Sequence, residues 1–265
     1  MNNPIPLRVL LDQGKTTLGT WCLLTDPAVV EILAASGFDF VVIDMEHGPH
    51  GFETACNLIR SAELQGITAL LRPPGVDESA ILRALDCGAH GLLVPNVSSR
   101  GHVADIVRFA FYPPAGERGH SPFTRAGGFT HVDAGVRMKT ANASLFLGIL
   151  IEGPDGLAAL PQILEEFASQ LSVVYVGLYD LAKAVGCAGD VKHPKVIQTV
   201  REVAGMAAEH GVHAGMLCND QEMIEIAHKA GVRFICYQND TGILHESALR
   251  IRDQVRRTTG KGARQ

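Results

Sequence analysis

Two carboxylates in this chain close apolar runs. Glu152 ends Leu-Phe-Leu-Gly-Ile-Leu-Ile (145–151), and Asp180 follows Leu171–Leu178 by way of Tyr179. A short apolar run bounded by turn residues reads as a strand buried on both faces, so each acid stands at a strand's C-terminal end. Two such acids in one mouth offer oxygen ligands to a hard divalent ion, Mg2+ or Mn2+ with Co2+ a further candidate, with water or substrate oxygens filling the other positions. A lone acid there reads as a helix N-cap; the pair, with the other strand ends, favours a metal. Those ends supply Asp44, Glu46 and His47, then Arg72, Asn96, Asn219, and Gln238-Asn239-Asp240. An arginine can stabilise an oxyanion as its charge develops. A histidine beside an acid can move protons near neutral pH. Together these groups suit the making or breaking of a carbon–carbon bond next to a carbonyl. The plain alternative for Arg72 is an ion pair with Asp44 or Glu46 around the rim. His47 and His50 flank a Gly-Pro turn and share no helix face, so no zinc site is expected, and His50 should face solvent. Asp86 sits late in a helix, where an acid opposes the dipole, which hints at a partner elsewhere. Asn219, Gln238, Asn239 and Asp240 read as caps and rim hydrogen bonds.

Eight strand-like runs position these residues: 18–24, 39–44, 68–72, 91–97, 145–152, 171–178, 213–218 and 233–238. Helical patterns alternate with them. One starts at Asp26-Pro27 and runs to Gly37, and others span 52–65, 78–87, the stretch up to Phe111, 155–169, 194–210, 220–230 and 242–257. Strand–helix alternation of this kind over 265 residues, against about 250 for the type, predicts one (β/α)8 barrel spanning 1–265. Residues 1–17 form a lead-in and 258–265 a frayed tail. Residues 112–144 break the rhythm. Dense in Gly and Pro and carrying Arg118 and Arg125, they are expected to form a substrate-binding loop or lid over the barrel mouth, with a short helix near 134–140.

Composition narrows the class. Apolar residues make up 46% and charged ones 19%, as in a globular protein with a large core. A net charge of −5 gives no electrostatic case for nucleic acid or membrane surface. Cysteines 22, 56, 87, 187, 218 and 236 include no CxxC pair, which points to reduced, buried thiols in a cytoplasmic protein. Asp12–Thr17 looks like part of a phosphate loop, but Val9 stands where its first glycine is needed.

Several fragments, in this order and spacing, resemble the HpcH/HpaI family of metal-dependent (class II) pyruvate aldolases. They are Phe38-Asp39-Phe40-Val41-Val42-Ile43-Asp44-Met45-Glu46-His47, Leu71-Arg72-Pro73-Pro74, Leu85-Asp86-Cys87-Gly88-Ala89 and Leu93-Val94-Pro95-Asn96-Val97. Tyr112-Pro113-Pro114-Ala115-Gly116-Glu117-Arg118-Gly119, Ile151-Glu152 and Val176-Gly177-Leu178-Tyr179-Asp180-Leu181 complete the set. The resemblance implies a TIM barrel, commonly hexameric, that exchanges its C-terminal helix between neighbours. It further implies that Glu152 and Asp180 bind the metal, which pyruvate chelates. Arg72 would stabilise the enolate, and His47, oriented by Asp44, would assist proton transfer. Asp86 would reach into a neighbouring subunit's site. The chain departs from the family's usual Gly-Pro-x-Asp-Leu-Ser at Gly177–Ala182, from Gln-Ile-Glu at Leu150–Glu152, and around Gly119–Phe129 and Cys236–Asp240. These changes leave the ligands in place and suggest a rebuilt acceptor pocket, with Gly177, Tyr179, Arg118 and Arg125 as substrate-binding candidates.

The expected protein is therefore a homo-oligomeric lyase acting through a pyruvate-type enolate on a 2-keto acid and an aldehyde. Two alternatives stand beside it. One is a condensing enzyme of the same family, using oxaloacetate and an acetyl thioester. The other is a barrel that binds a keto acid without turnover.

Overall fold

The computed structural model describes residues 6–260. Its centre is a closed barrel of eight parallel strands: β1 (Thr17–Cys22), β2 (Phe40–Asp44), β3 (Thr68–Arg72), β4 (Gly91–Val94), β5 (Phe146–Ile151), β6 (Val173–Val176), β7 (His213–Cys218) and β8 (Phe234–Asn239). The helices are α1 (Leu7–Asp12), α2 (Ala28–Ala35), α3 (Phe52–Gln65), α4 (Glu78–Asp86), α5 (Arg100–Ala110), α6 (Ala134–Ser144), α7 (Pro154–Phe167), α8 (Leu178–Ala184), α9 (Pro194–Glu209), α10 (Gln221–Lys229) and α11 (Asp240–Thr259). Local chemistry sets several boundaries. Asp77, Ser99, Asp220 and Asn239 each accept a backbone N–H of the following turn, as N-caps do. Left-handed Gly66 ends α3.

Alternation along each strand sorts side chains into two cores. Val41, Ile43, Leu71, Leu92 and Ile149 face the helices. Phe40, Val42, Leu70, Phe146, Leu150, Val173, Tyr175 and Phe234 fill the barrel. Phe234 stacks between Phe40 (4.3 Å) and Phe146 (5.5 Å). Gly19 leaves room for this layer, since a Cβ there would lie 2.2 Å from the Phe40 ring. The same period carries the interior face past Val42 to Asp44, past Leu70 to Arg72, and past Leu150 to Glu152, so the apolar filling gives way to charge at the C-terminal mouth.

Four expectations change. The lead-in contains α1, whose Leu7 and Leu11 are buried with the barrel interior and plug its lower end. The expected tail is helical to Thr259, with Gly260 left-handed; residues 261–265 lie outside the described ones. Strand β6 stops at Val176, and the chain turns into α8, placing Asp180 in a helix's first turn. Residues 112–144 join the end of α5 to the start of β5. In a parallel barrel every helix-to-strand connection lies at the strands' N-terminal end, so this segment covers the face opposite its own chain's mouth. The backbone bonds Ala126 N–H to Asp86 O and Phe146 N–H to His90 O fix it there.

Beyond the β1–β8 ladder, buried Asp240 ties the chain after β1 to the start of α11. Its carboxylate accepts from the amides of Leu23 (3.0 and 3.1 Å), Leu24 (2.8 Å) and Thr241 (2.7 Å), where the β1–β8 register shifts between Gly19 and Trp21. In Asp240→Ala the Leu23 and Leu24 amides lose their acceptor, at about 1–3 kcal/mol for each stranded donor. Equilibrium unfolding should show that loss. Parental stability would mean that this tie does not support the fold.

Candidate active site

The β2–β3 register makes Asp44 and Arg72 direct neighbours on the interior face. Arg72 donates through Nε to Asp44 Oδ1 (2.8 Å) and through Nη2 to Oδ2 (2.5 Å), with Nη1 3.1 Å from Glu46 Oε2. Both alternatives for a rim ion pair are thus realised together. Burial alone pushes the Asp44 carboxyl up, but the hydrogen bond and charge of Arg72 and the His47 and Glu46 amides outweigh it. Asp44 lies below the ordinary carboxylate range. Burial likewise disfavours the Arg72 charge, and Asp44 and Glu46 more than restore it. The face of the guanidinium rests on Trp21, with Cζ 4.2 Å from the ring centroid.

Asp44 also accepts from the backbone N–H groups of Glu46 (3.0 Å) and His47 (3.2 Å). It therefore fixes the turn that carries His47, contacting that residue through its amide; the imidazole is exposed at the mouth. The contact expected between Asp44 and His47 thus runs through the backbone of this turn. His50 was expected in solvent, and it is buried with Nε2 2.9 Å from Cys22 O.

Glu152 stands one residue beyond β5. Its Oε1 accepts from the Asn96 amide (2.7 Å), and the Asn96 side-chain amide donates to Glu46 Oε1 (2.8 Å). Asn96 bridges the two acids from a left-handed conformation (φ 57°), which asparagine tolerates. Gly177 makes this packing possible, because a Cβ there would lie 2.6 Å from Glu152 Oε2. Burial pushes the Glu152 carboxyl up; the Asn96 N–H opposes the rise, and the charges of Glu46 and Asp180 add to it. Asp180 and Tyr179 are exposed on the first turn of α8. Glu46 and Asn96 were legible only as polar strand-end residues; their register across the mouth joins them to the cluster.

Asp44, Glu46, Glu152 and Asp180 thus stand against one guanidinium, Arg72. An excess of carboxylate around a half-buried glutamate whose charged form is disfavoured fits a hard divalent cation. Among the described residues no three His, Cys, Asp or Glu side chains form a ready cage, so Glu152 and Asp180 would leave most positions to water and substrate oxygens.

The remaining candidates gather at the other end of the barrel. Arg118 is buried, donates to Asp86 Oδ1 (2.8 Å) and lies over the Tyr112 ring. Arg125 pairs with Glu63 and packs against Gly88. Both line a cavity of about 430 Å3 with His90, Leu85 and Phe129. This placement corrects the expectation that their loop forms a lid over the barrel mouth of its own chain.

A (β/α)8 barrel with an arginine, a histidine and paired acids at its C-terminal mouth defines an enzyme of carbonyl-adjacent chemistry. Residues 17–245 match the HpcH/HpaI aldolase/citrate lyase family, and the chain belongs to that family. It is 31% identical over 245 residues to the hydroxypyruvate/pyruvate aldolase of Roseobacter denitrificans, covering 91% of this chain and 94% of that one. The crystal structure of an HpcH/HpaI aldolase from Desulfitobacterium hafniense superposes with a TM-score of 0.87 at 29% identity, over 94% of this chain and 96% of that one. That of the citrate synthase SbnG gives 0.86 at 29%, over 97% and 99%.

The raised proton affinity of Glu152 sets a sign. A carboxyl whose folded pKa is raised favours the folded state when protonated, and that contribution is lost as pH rises through the folded value. Wherever the group is ionised, its charge is a cost that a bound cation would relieve. Mg2+ or Mn2+ should raise Tm at pH 7, by an increment that shrinks as pH falls toward the elevated Glu152 pKa. Glu152→Gln should raise the metal-free Tm and remove the increment; an unchanged increment would exclude Glu152 as a ligand.

Proposed function

We propose that this aldolase works through the enolate of a 2-keto acid, with Glu152 and Asp180 holding a divalent cation, Mg2+ or Mn2+ with Co2+ a further candidate. The observation that carries the reading is Arg72, a buried guanidinium placed between Asp44 and Glu46 beside an acid-rich, cation-deficient mouth. When bound, the cation supplies Lewis-acid polarisation of the keto acid. Arg72 has five N–H groups; Asp44 takes two and Glu46 is within reach of a third. The rest are free for the keto oxygen as it gains charge.

In the cleavage direction His47 takes the proton of the hydroxyl on the carbon that becomes the aldehyde. The adjoining carbon–carbon bond breaks, and its electron pair passes into the keto group, giving an enolate. A proton from water restores the keto acid at the enolate carbon, and His47 returns to solvent the proton it took. His47 suits the first step because its ring is exposed at the mouth while Asp44 and Arg72 fix the turn beneath it. Gly177 keeps space beside Glu152, and Tyr179 on α8 would border the acceptor. Asp86 and Arg118 would enter from a second copy, since they lie on the opposite face of their own chain. Helix α11 supports such an assembly: Asp240 is its one buried residue, and Leu244, Ile251 and Val255 are exposed. A homo-oligomer, on the expected pattern a hexamer exchanging that helix, would cover them.

Condensation of oxaloacetate with an acetyl thioester is the second reading, supported by the likeness to a citrate synthase over nearly the whole chain. Both readings share the enolate, and a screen of aldehydes against thioesters separates them. No helix among the described residues is long and apolar enough to cross a membrane. The cysteines, none in a CxxC pair, support the cytoplasm as the proposed location.

Deuterium exchange into pyruvate and oxaloacetate, followed by NMR with and without chelator, tests the core. Exchange should require a divalent cation and vanish in Glu152→Ala and Asp180→Ala. Arg72→Ala should lose about 3–4 kcal/mol of transition-state stabilisation, the scale of a lost oxyanion donor. His47→Ala should slow aldol cleavage more than exchange. Metal-independent exchange, or full turnover in the Arg72 variant, would remove the roles assigned here.

A further inference from the structure

Arg72 is held at its edge by carboxylates and at its face by a side chain that is itself anchored. The carboxylates of Asp44 and Glu46 fix the guanidinium within its own plane. Its tilt is set by the indole of Trp21 beneath it, 4.2 Å from Cζ to the ring centroid. Trp21 is buried, and its Nε1 donates to the Tyr175 hydroxyl at 3.1 Å in the barrel interior. The two rings meet edge-to-face, 5.5 Å apart at 88°. Tyr175 in turn meets Phe234 edge-on at 6.2 Å and 82°, and Phe234 is locked in the stack with Phe40 and Phe146.

A phenol at a fully buried barrel position has to account for its hydroxyl, because an unpaired polar group there is costly. A buried indole N–H needs an acceptor in the same way. The hydroxyl oxygen accepts the indole N–H, and its own proton faces the buried Cys236 thiol. Burial raises the Tyr175 pKa far above the ordinary phenol range, so the hydroxyl stays neutral. Without it the indole must either keep an orphaned N–H or turn to find another acceptor, and turning moves the face on which Arg72 lies.

We propose that Tyr175 is a positioning residue whose hydroxyl fixes the Trp21 indole and thereby sets the plane in which Arg72 presents its free N–H groups to the keto acid. The inference rests on the enolate role of Arg72 proposed above.

Trp21 is the sole tryptophan of the chain, so intrinsic emission reports this contact directly. Tyr175→Phe removes one oxygen and leaves the ring. It should shift the Trp21 emission maximum and lower kcat about tenfold, with KM for the keto acid within about twofold of the parent, the pattern of an interaction that matters in the transition state. The decisive comparison is a cycle with Trp21→Phe, which keeps an aromatic face for Arg72 and removes the N–H. In that background Tyr175→Phe should change kcat by less than about twofold, because the hydroxyl has lost the group it acts through. An equal loss in both backgrounds, or parental kcat and emission in Tyr175→Phe, would overturn the proposal. A parent that fails to exchange keto-acid protons sinks the enolate reading and with it the catalytic part of this one. The emission of Tyr175→Phe then still decides whether the hydroxyl anchors the indole.

Discussion

A guanidinium buried at the top of an apolar barrel is the constraint around which this mouth is arranged. Desolvating such a charge costs several kcal/mol, which only close, well-directed carboxylates offset. Asp44 is delivered by the β2–β3 register and Glu46 by the turn after it, and both Asp44 oxygens meet Arg72 donors. The turn that carries Glu46 and His47 is held by the same Asp44 carboxylate. One ion pair therefore fixes the arginine, the second acid and the backbone of the histidine. The interaction is strong evidence for geometry and weak evidence for net stability, since a buried pair roughly cancels its own desolvation.

Glu152 carries the opposite electrostatic sign of design. Its neighbours are Glu46 and Asp180, and the Asn96 amide is the donor aimed at its carboxylate. Two acids of one mouth are thus driven apart in proton affinity, Asp44 downward by its arginine and Glu152 upward by burial and like charge. Divergent carboxyl environments within one site are a common sign of divided chemical labour. Here the division is between Asp44, which structures the site, and Glu152, the acid proposed to hold the cation.

The sequence made the strand ends legible because barrel strands are apolar on both faces and stop where charge begins. The bounds of α3 and β3 follow from Gly66 and from Arg72 before two prolines. Asp180 leaves the expected strand end because Leu178 prolongs the apolar run, yet Leu178 is buried with Leu181 as one face of a helical turn; a run of four to eight apolar residues does not separate strand from helix. The segment carrying Arg118 and Arg125 lies on the other rim from the one expected, because a Gly- and Pro-rich insertion reads as a lid whichever rim it lies on. Only the parity of the connection, helix to strand, tells the rims apart. His50 was misjudged because the carbonyl that holds it belongs to Cys22 on another strand, a contact with no local signature.

The far end of the chain bears on the same question of completeness. Helix α11 is 20 residues long and buries Asp240 alone, with Leu244, Ile251 and Val255 in solvent. In folded proteins most helical stability comes from packing of an apolar face rather than from propensity. On the opposite rim, α6 buries nothing, and Phe123 and Phe129 are exposed. Two unpartnered apolar surfaces on one chain are most economically covered by a second copy. The same contact would bring the Asp86–Arg118 pair toward a mouth other than its own. On that assembly the acidic, cation-seeking site would be closed by a neighbour's guanidinium, and the acceptor would be read by residues from two chains.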